Sequence, residues 1–507
     1  MKADDRSGKS IKNMLYGTGA SVIQSVFPFI SRTVFIYVLG ASYLGINGLF
    51  SSVLSVLSLA ELGIGNIVVF SLYKPLAEND MERLGSYIAF YKTIYRIIAG
   101  VVFAVGMILV PFIPYLVKLP DNIDHLYWYY ILYVINASLS YLYVYKSSII
   151  NADQKQYIVS VYTTVATVLM HIVQCVTLVI FRNFTVYLVT QVIFTFAQNY
   201  ALSRKADKLY KIDYKVCVPL SKAEKKEILV KTKAMLSYKL GGVFLNSTAS
   251  IYISALVNTV TVGFYTNYII LENLLNKLIN IVYDALYASV GNLNATEGEG
   301  KRKSVFNAVM LMFGLIATVG FAGFFVVSSK VIEVWIGKEY RIGMLAVFAL
   351  ALRFYMPIVL YPIWMYRNST GLFEETKGIL IYAGIINIIL SYFLGKQMGL
   401  AGILLAASIS RALTSFWYEP VVLYKRIFTQ SRVSEYFLNV GFSVCCVLVT
   451  VACCWLAEQY LLKGIWACLL SEILICIFVP LILYFIRYRK KEEFGYLVET
   501  VKRKLGR

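Results

Sequence analysis

The sequence predicts an all-α membrane protein with about fourteen transmembrane helices. Of its 507 residues, 59% are hydrophobic and only 15% are charged, whereas soluble domains carry roughly 25% charged residues. Apolar runs of about 20 residues or more, the length a helix needs to cross the hydrocarbon core, recur along the whole chain. Because backbone polar groups in lipid must be hydrogen-bonded within their own segment, we interpret these runs as helices.

The apolar runs predict fourteen segments, which we number from the N-terminal end. Their bounds are 14–38, 44–72, 86–115, 124–148, 157–181, 185–203, 234–257, 262–290, 304–328, 343–366, 378–396, 400–424, 436–457 and 464–486. One long polar stretch separates six segments from eight and so predicts four regions. These are an N-terminal six-helix lobe (1–203), a basic cytoplasmic linker (204–233), a C-terminal six-helix lobe (234–427), and two extra helices with a basic cytoplasmic tail (428–507).

The two lobes show signs of an internal repeat. Each begins with two apolar segments joined by a very short turn, at Leu44-Gly45 in the first lobe and at Val262-Gly263 in the second. Both lobes start on the same side of the membrane. The repeat would therefore be parallel, with its axis along the membrane normal.

The net charge of +20 lies mostly in short loops, which argues against a nucleic-acid partner. With Met1 inside, cytoplasmic segments carry about 34 Lys and Arg and outer loops about seven, as the positive-inside rule requires. The outer residues are Lys118, Arg182, Lys330, Lys338, Arg341, Lys396 and Lys463. We therefore expect both termini to be cytoplasmic.

Several charged residues fall inside apolar segments, where each costs about 2.5–3.5 kcal/mol at a helix centre. The basic ones are Arg32, Lys92, Arg96, Lys239, Lys277, Arg353 and Arg411, and the clearest acidic ones are Glu61, Glu272 and Asp284. Such residues must face each other or a water-filled cavity. Lys92 and Arg96 lie near the inner end of segment 3, where they would either guide an anionic headgroup inward or snorkel to the interface.

Polar residues share helix faces in several segments. In segment 8, Asn273, Lys277, Asn280 and Asp284 follow a 4, 3, 4 spacing that places them on one face. Similar stripes are Lys239, Asn246 and Ser250; Ser21, Ser25, Pro28 and Arg32; Ser58, Glu61 and Gly65; and Ser408, Arg411 and Ser415. They predict a polar chamber between the lobes, the alternative being ion pairs and hydrogen bonds that join helices.

The chamber is predicted to be cationic, because five basic residues outnumber three acidic ones. The basic set is Arg32, Lys239, Lys277, Arg353 and Arg411. Arginine binds phosphate through its planar fork and lysine as a point charge, so we expect an anionic, phosphate-bearing substrate. Glu61, Glu272 and Asp284 either pair with these cations or carry H⁺ or Na⁺.

Catalysis finds little support in the sequence. There are only two histidines, and no P-loop, HExxH or GxSxG motif occurs. Most of the eight cysteines lie in apolar runs, including the cluster Cys445, Cys446, Cys453 and Cys454, so we interpret them as packing residues. We expect a protein that is not an enzyme and that uses neither a cofactor nor a metal.

The stretch from Arg32 to Asp80 reads RTVFIYVLGASYLGINGLFSSVLSVLSLAELGIGNIVVFSLYKPLAEND. It resembles the N-terminal signature of bacterial polysaccharide-exporting flippases: an arginine in the first helix, a YLG-x-x-GLF turn, ELGI in the second helix, and a SLYKPLAEND-like inner loop. A weaker similarity is VWIGKEYRIG at 334–343. The family belongs to the multidrug/oligosaccharidyl-lipid/polysaccharide exporter superfamily.

The resemblance implies two six-helix lobes in a V shape, followed by two C-terminal helices. It implies a flippase of the bacterial inner (plasma) membrane that moves an undecaprenyl-pyrophosphate-linked oligosaccharide from the cytoplasmic to the outer leaflet by alternating access. The implied context is capsule or lipopolysaccharide biosynthesis, with H⁺ or Na⁺ and other polysaccharide-assembly proteins as possible partners. Arg32 and Glu61 carry over as cavity residues, whereas the identity of the sugar does not carry over.

Two alternatives stay open. A multidrug/cation antiporter of the same superfamily would need a more acidic or more apolar cavity. A membrane polysaccharide polymerase or ligase would need a sizeable outer loop with catalytic residues, and the longest outer loops here have about 15 residues.

Overall fold

A computed structural model describes residues 3–61, 64–119, 123–212, 218–376, 378–460, 464–491 and 493–495. Within these ranges the regular structure consists of nineteen α-helices and three short 3₁₀ helices. The chain forms two compact units, residues 1–263 and 264–507. The lobe boundaries expected from the sequence stay predictions.

The first unit contains the helices up to the start of α11. They are α1 (Ala3–Leu57), α2 (Ile64–Glu78), α3 (Met81–Leu109), α4 (Ile113–Leu116), α5 (Leu126–Tyr141), α6 (Val144–Ala152), α7 (Gln156–Phe181), α8 (Phe184–Leu209), α9 (Lys222–Asn246) and α10 (Ala249–Leu256). The 3₁₀ helices Ser58–Glu61 and Val110–Phe112 join neighbouring helices. Helix α1 packs on α7, and α5 packs on α3 and α8.

The second unit contains the rest of α11 and the helices that follow. They are α11 (Thr259–Thr296), α12 (Glu299–Ile336), α13 (Met344–Ser369), α14 (Phe373–Thr376), α15 (Ile379–Met398), α16 (Leu400–Leu413), α17 (Ser415–Arg426), α18 (Ser434–Tyr460) and α19 (Ile465–Tyr488), with a 3₁₀ turn at Lys338–Tyr340. Helix α12 packs on α13, α18 and α19, and α13 packs on α16.

The predicted segments are largely helical among the described residues, which confirms the all-α prediction. Segments 1 and 2 meet inside α1 at Gly40, whose φ of 80° is readily adopted only by glycine. Nine helical stretches among the described residues are long and apolar enough to cross a membrane. The count of fourteen crossings stays a prediction. Predicted segments 1 and 2 together make one of these nine stretches, Gly19–Leu57, and α5, α8 and α11 are not among the nine.

Several predicted segments are broken partway. Segment 12 divides at Thr414 into α16 and α17, and segment 7 divides into α9 and α10 after Asn246. Non-helical backbone at membrane depth is stable only where protein covers it or where it lines a water-filled cavity. The break at Thr414 lies one turn after Arg411, beside the cluster described below.

The glycines of the two predicted turns lie inside helices, Gly45 in α1 and Gly263 in α11, and they come together in the first unit. A Cβ atom added to Gly45 would lie 2.0 Å from the carbonyl oxygen of Thr259, and one added to Gly263 would lie 3.0 Å from the nitrogen of Gly45. The Thr259 hydroxyl accepts a 2.8 Å hydrogen bond from the backbone N–H of Lys118. Only residues without a side chain permit this approach of α1 to the start of α11.

Candidate functional site

Two residues predicted separately, a cation and an acid, form an ion pair in the second unit. Arg353 of α13 donates through Nη2 to Glu272 of α11 and through Nη1 to the Tyr265 hydroxyl at 3.1 Å. The side chains of Arg353 and Glu272 are only 12% and 10% exposed. Each charge therefore compensates the other in a poorly hydrated place, and neither is presented to solvent as an isolated charge.

A second buried cluster surrounds Arg411, in the last turn of α16 and 6% exposed. Its guanidinium carbon lies 5.9 Å from the centre of the Trp364 ring. The Trp364 indole nitrogen donates to Glu419 at 2.5 Å, and Arg367 Nη1 donates to the other oxygen of that carboxylate at 2.7 Å. Glu419 thus joins α13 to α17 and lies within electrostatic range of both arginines.

Arg367 and Glu419 are functional-site candidates that sequence reasoning missed. Arg367 lies at the end of segment 10, where a basic residue usually marks the membrane surface. The missed signal is spacing: Arg411, Ser415 and Glu419 recur every four residues, and Trp364 and Arg367 lie three apart. The spacing of three places Trp364 and Arg367 on one face of α13. The spacing of four places Arg411, Ser415 and Glu419 on nearly the same side of α16 and α17, which are separated by the break at Thr414.

The predicted polar face of α11 is on the surface of the chain. Asn273, Lys277, Asn280 and Asp284 are all exposed. Tyr361 of α13 donates a hydrogen bond to the Asn280 side chain at 3.2 Å and lies within electrostatic range of Arg411 and Asp284. Charged side chains on a long, largely apolar helix are stable there only if they contact water or a polar ligand.

In the first unit, Arg32 of α1 lies among tyrosines. The hydroxyls of Tyr133 (α5) and Tyr187 (α8) are within electrostatic range of its guanidinium. Tyr133 in turn donates to the side chain of Asn47 on α1. The predicted cation is therefore partly buried in a hydrogen-bonding environment built by three helices.

Glu61 ends the 3₁₀ helix that follows α1. It hydrogen-bonds with Tyr141 and lies within electrostatic range of Tyr95. Tyr141 and Tyr133, the neighbours of Glu61 and Arg32, are eight residues apart on α5, which is about 12 Å along the helix axis. The two residues carried over from the flippase signature therefore lie at different levels of the first unit.

The other predicted site residues lie elsewhere. Lys92 of α3 is partly buried, and Arg96 is exposed and within electrostatic range of Tyr145. The helix α9 includes Lys239, but the side chain of Lys239 lies outside the described residues.

The sequence does not predict a third buried ion cluster, which surrounds Lys330. The sequence places Lys330 in an outer loop, but α12 continues through this residue to Ile336. Its amino group contacts Glu472 of α19, which is 1% exposed, and Glu458 of α18 at 3.1 Å. This cluster ties the two C-terminal helices to α12.

An apolar groove of about 280 Å³ lies between α11, α12 and α19. Almost its whole lining is hydrocarbon, contributed by Leu271, Leu275, Gly320, Phe324, Val327 and Ile477 among others. Its dimensions and chemistry suit a hydrocarbon chain.

Comparison with solved structures shows which fold this is. The lipid II flippase MurJ, in an inward closed conformation, matches with a TM-score of 0.69 at 14% identity, over 94% of this chain and 99% of that chain. An inward-facing multidrug resistance MATE family transporter of the MOP superfamily matches with a TM-score of 0.61 at 14% identity, over 81% and 96%. A MOP superfamily transporter from Pyrococcus furiosus, described as having a binding pocket of reverse polarity, matches with a TM-score of 0.52 at 14% identity, over 82% and 96%.

No protein-family model and no curated protein matches the sequence. The chain therefore has the fold that the flippase MurJ and MATE transporters share.

Proposed function

We propose that this chain is a flippase that moves an undecaprenyl-pyrophosphate-linked oligosaccharide from the cytoplasmic to the outer leaflet of a bacterial membrane. One observation carries the proposal. The exposed polar face of α11, which includes Lys277, adjoins the buried arginines Arg411 and Arg367 through Tyr361 and Trp364. A lipid-linked sugar needs such a combination of charge and hydrogen-bonding groups at membrane depth.

The diphosphate is assigned to the cationic residues. Lys277 is exposed and can meet a phosphate as a point charge, while Arg411 offers a planar fork beside an aromatic ring. Arg353 contributes once the substrate competes with Glu272 for its guanidinium. Arg32 and Lys239 complete the set and contact the phosphate in other stages of transport.

The lipid tail is assigned to hydrocarbon surroundings. The apolar groove between α11, α12 and α19 borders the same helix, α11, that presents the polar face. A polyprenyl chain lying there would keep its apolar surface out of water. Lys92 and Arg96 of α3 would attract the anionic headgroup at the inner leaflet.

Transport proceeds by alternating access, in which the substrate site opens first to the cytoplasmic side and then to the outer side. We further propose that an ion gradient, of H⁺ or Na⁺, drives this change through Glu61, Glu272 or Asp284. Neutral replacement of all three carboxylates is expected to abolish transport. Undiminished transport by that triple variant would refute the coupling role.

The experiment that tests the proposed function is leaflet-resolved labelling of lipid-linked oligosaccharide in cells depleted of this protein. We expect the complete intermediate to accumulate on the cytoplasmic leaflet. If it reaches the outer leaflet but stays unpolymerised, the chain is a polymerase or ligase. If the intermediate is unchanged in amount and leaflet, the proposal is wrong.

The second candidate function is a multidrug/cation antiporter. It is favoured by the exposed carboxylate of Asp284, which lies within electrostatic range of Tyr283 and Tyr361, since aromatic rings and a carboxylate together bind organic cations. The nearby Arg411 would repel such a ligand, which is why we rank this candidate second.

A further inference from the structure

Four aromatic side chains form a continuous row beside the polar face of α11. The ring centres of Tyr287 and Tyr283 are 5.9 Å apart with an interplanar angle of 19°. Tyr283 and Tyr361 are 4.8 Å apart, and Tyr361 and Trp364 are 5.6 Å apart. We call this set the aromatic row, and its far end is Arg411, which lies over the Trp364 ring.

The aromatic row is partly accessible. Tyr287 is 36% exposed, and the other three rings are partly buried. Exposed polar groups flank it, because Asn280 accepts a hydrogen bond from Tyr361, and Asp284 lies within electrostatic range of Tyr283 and Tyr361. Tyr283 and Tyr361 also pack against the buried Phe313 ring of α12, so it is the exposed part of the row and its flanking polar groups that are open to a ligand.

The combination matches the two chemical faces of a sugar. A pyranose ring presents apolar C–H groups on its flat face and hydroxyls around its edge. Aromatic rings can cover the flat face, while an amide and a carboxylate can bond the hydroxyls.

The row bends at the contact between Tyr283 and Tyr361. Helices α11 and α13 run in the same direction, because Asn280 contacts Tyr361 and Asn294 contacts Ser369. The two ends of the row, Tyr287 and Trp364, therefore lie at a similar level, and Arg411 lies over the Trp364 ring. A diphosphate bound at Arg411 would place the sugar attached to it next to the row.

We propose that the aromatic row, with Asn280 and Asp284, is the subsite that binds the sugars proximal to the diphosphate. This inference rests on the proposed flippase function. It assigns substrate preference to Tyr283, Tyr361 and Asp284, and anchoring of the phosphate to Arg411. Binding of the sugar and binding of the bare diphosphate are therefore separable in this chain.

The test compares four probes with the purified full-length chain in lipid nanodiscs. They are undecaprenyl diphosphate and the same lipid carrying glucose, galactose or N-acetylglucosamine. We expect at least one glycosylated probe to bind more tightly than the bare lipid. Tyr283→Leu and Tyr361→Leu should each reduce that preference about threefold to tenfold, the usual range for one lost aromatic contact, with unchanged affinity for the bare lipid.

Three variants complete the design. Tyr361→Phe keeps the ring and should keep most of the preference. Asp284→Asn changes an exposed side chain, and it should lower the preference even if the leucine variants fail to fold. Tyr382→Leu, on the exposed surface of α15, is the matched control and should have no effect.

The possible failures are distinguishable. If the wild-type chain prefers a glycosylated probe and the variants keep that preference, or if it binds all four probes equally, the subsite is wrong while the flippase function stands. If it binds none of the four probes but binds tetraphenylphosphonium, both the subsite and the flippase function are refuted.

Discussion

Arg353 and Glu272 neutralise each other across α13 and α11, with about nine-tenths of each side chain buried. A cation and an acid predicted as separate cavity residues are thus one structural unit. Burying two charges is expensive, and the pair is stable only while both partners are present. Arg353 can bind a substrate phosphate only by exchanging one anionic partner for another.

Removing one member of this pair is expected to be strongly destabilising. Glu272→Gln and Arg353→Met should each lower the free energy of unfolding by about 3–5 kcal/mol, because each leaves an uncompensated buried charge. The double variant should lose much less free energy of unfolding than the two single variants lose together. Thermal unfolding of the purified proteins measures this coupling.

The matched control for this double-mutant cycle is the more exposed pair Arg341–Glu333. Its side chains are 42% and 27% exposed, and its N–O distance is 2.9 Å. Its neutral variants should change stability by less than about 1 kcal/mol. Additive effects at Arg353 and Glu272 would contradict the buried-pair interpretation.

At Arg411 the shape of the cation is expected to matter as well as its charge. Arg411→Lys keeps the charge but loses the planar fork beside Trp364, so we expect at least a tenfold slower transport of lipid-linked oligosaccharide. The control is Arg487→Lys, which should leave transport unchanged. Arg487 is an exposed arginine of α19 that lies over the Phe442 ring of α18. Equal transport by wild type and Arg411→Lys would show that Arg411 does not bind phosphate through its fork.

Lys330 is expected to hold the C-terminal helices to α12. Lys330→Met leaves the buried carboxylate of Glu472 without its cation, and should destabilise the protein by about 3–5 kcal/mol. Lys338→Met, at an exposed position in the following 3₁₀ turn, should change stability by less than about 0.5 kcal/mol. If Lys330→Met and Lys338→Met both unfold at the same temperature as the wild type, this role is refuted.

Gly45 is expected to tolerate no side chain. Gly45→Ala places a Cβ atom 2.0 Å from the Thr259 carbonyl oxygen, so α1 and the start of α11 must separate. Gly100→Ala on α3 meets nothing within 4 Å and should be neutral or stabilising. Hydrogen exchange at residues 41–49 and 259–263 should rise in the first variant alone, and unchanged exchange there would contradict the contact.

Much of the fold follows from the sequence because its cause is local. Runs of apolar residues predict helices whatever their neighbours are, but the break between segments 1 and 2 lies at Gly40 and not at the predicted Leu44-Gly45 turn. The face of α11 that bears Lys277 and Asp284 follows from helical period alone. The exposure of those side chains agrees with that pattern.

The ion clusters could not be predicted in the same way, because pairing depends on tertiary contacts. Nothing in the local sequence of Glu419 indicates Arg367 as its partner, 52 residues away. The sequence wrongly places Lys330 in an outer loop, because hydropathy defines the end of a helix poorly. In the structure α12 continues to Ile336. The cationic character expected of the site is correspondingly reduced at Arg353, whose charge Glu272 compensates.

The most direct test of the central claim is reconstitution of the purified chain in vesicles that contain undecaprenyl-diphosphate-linked oligosaccharide. The movement of the sugar to the opposite leaflet is followed by its accessibility to an impermeant oxidant. We predict rapid transfer with the wild-type chain, slow transfer with Arg411→Lys, and none in protein-free vesicles. Transfer no faster than in protein-free vesicles, together with uptake of tetraphenylphosphonium, would contradict the flippase account and establish a cation transporter.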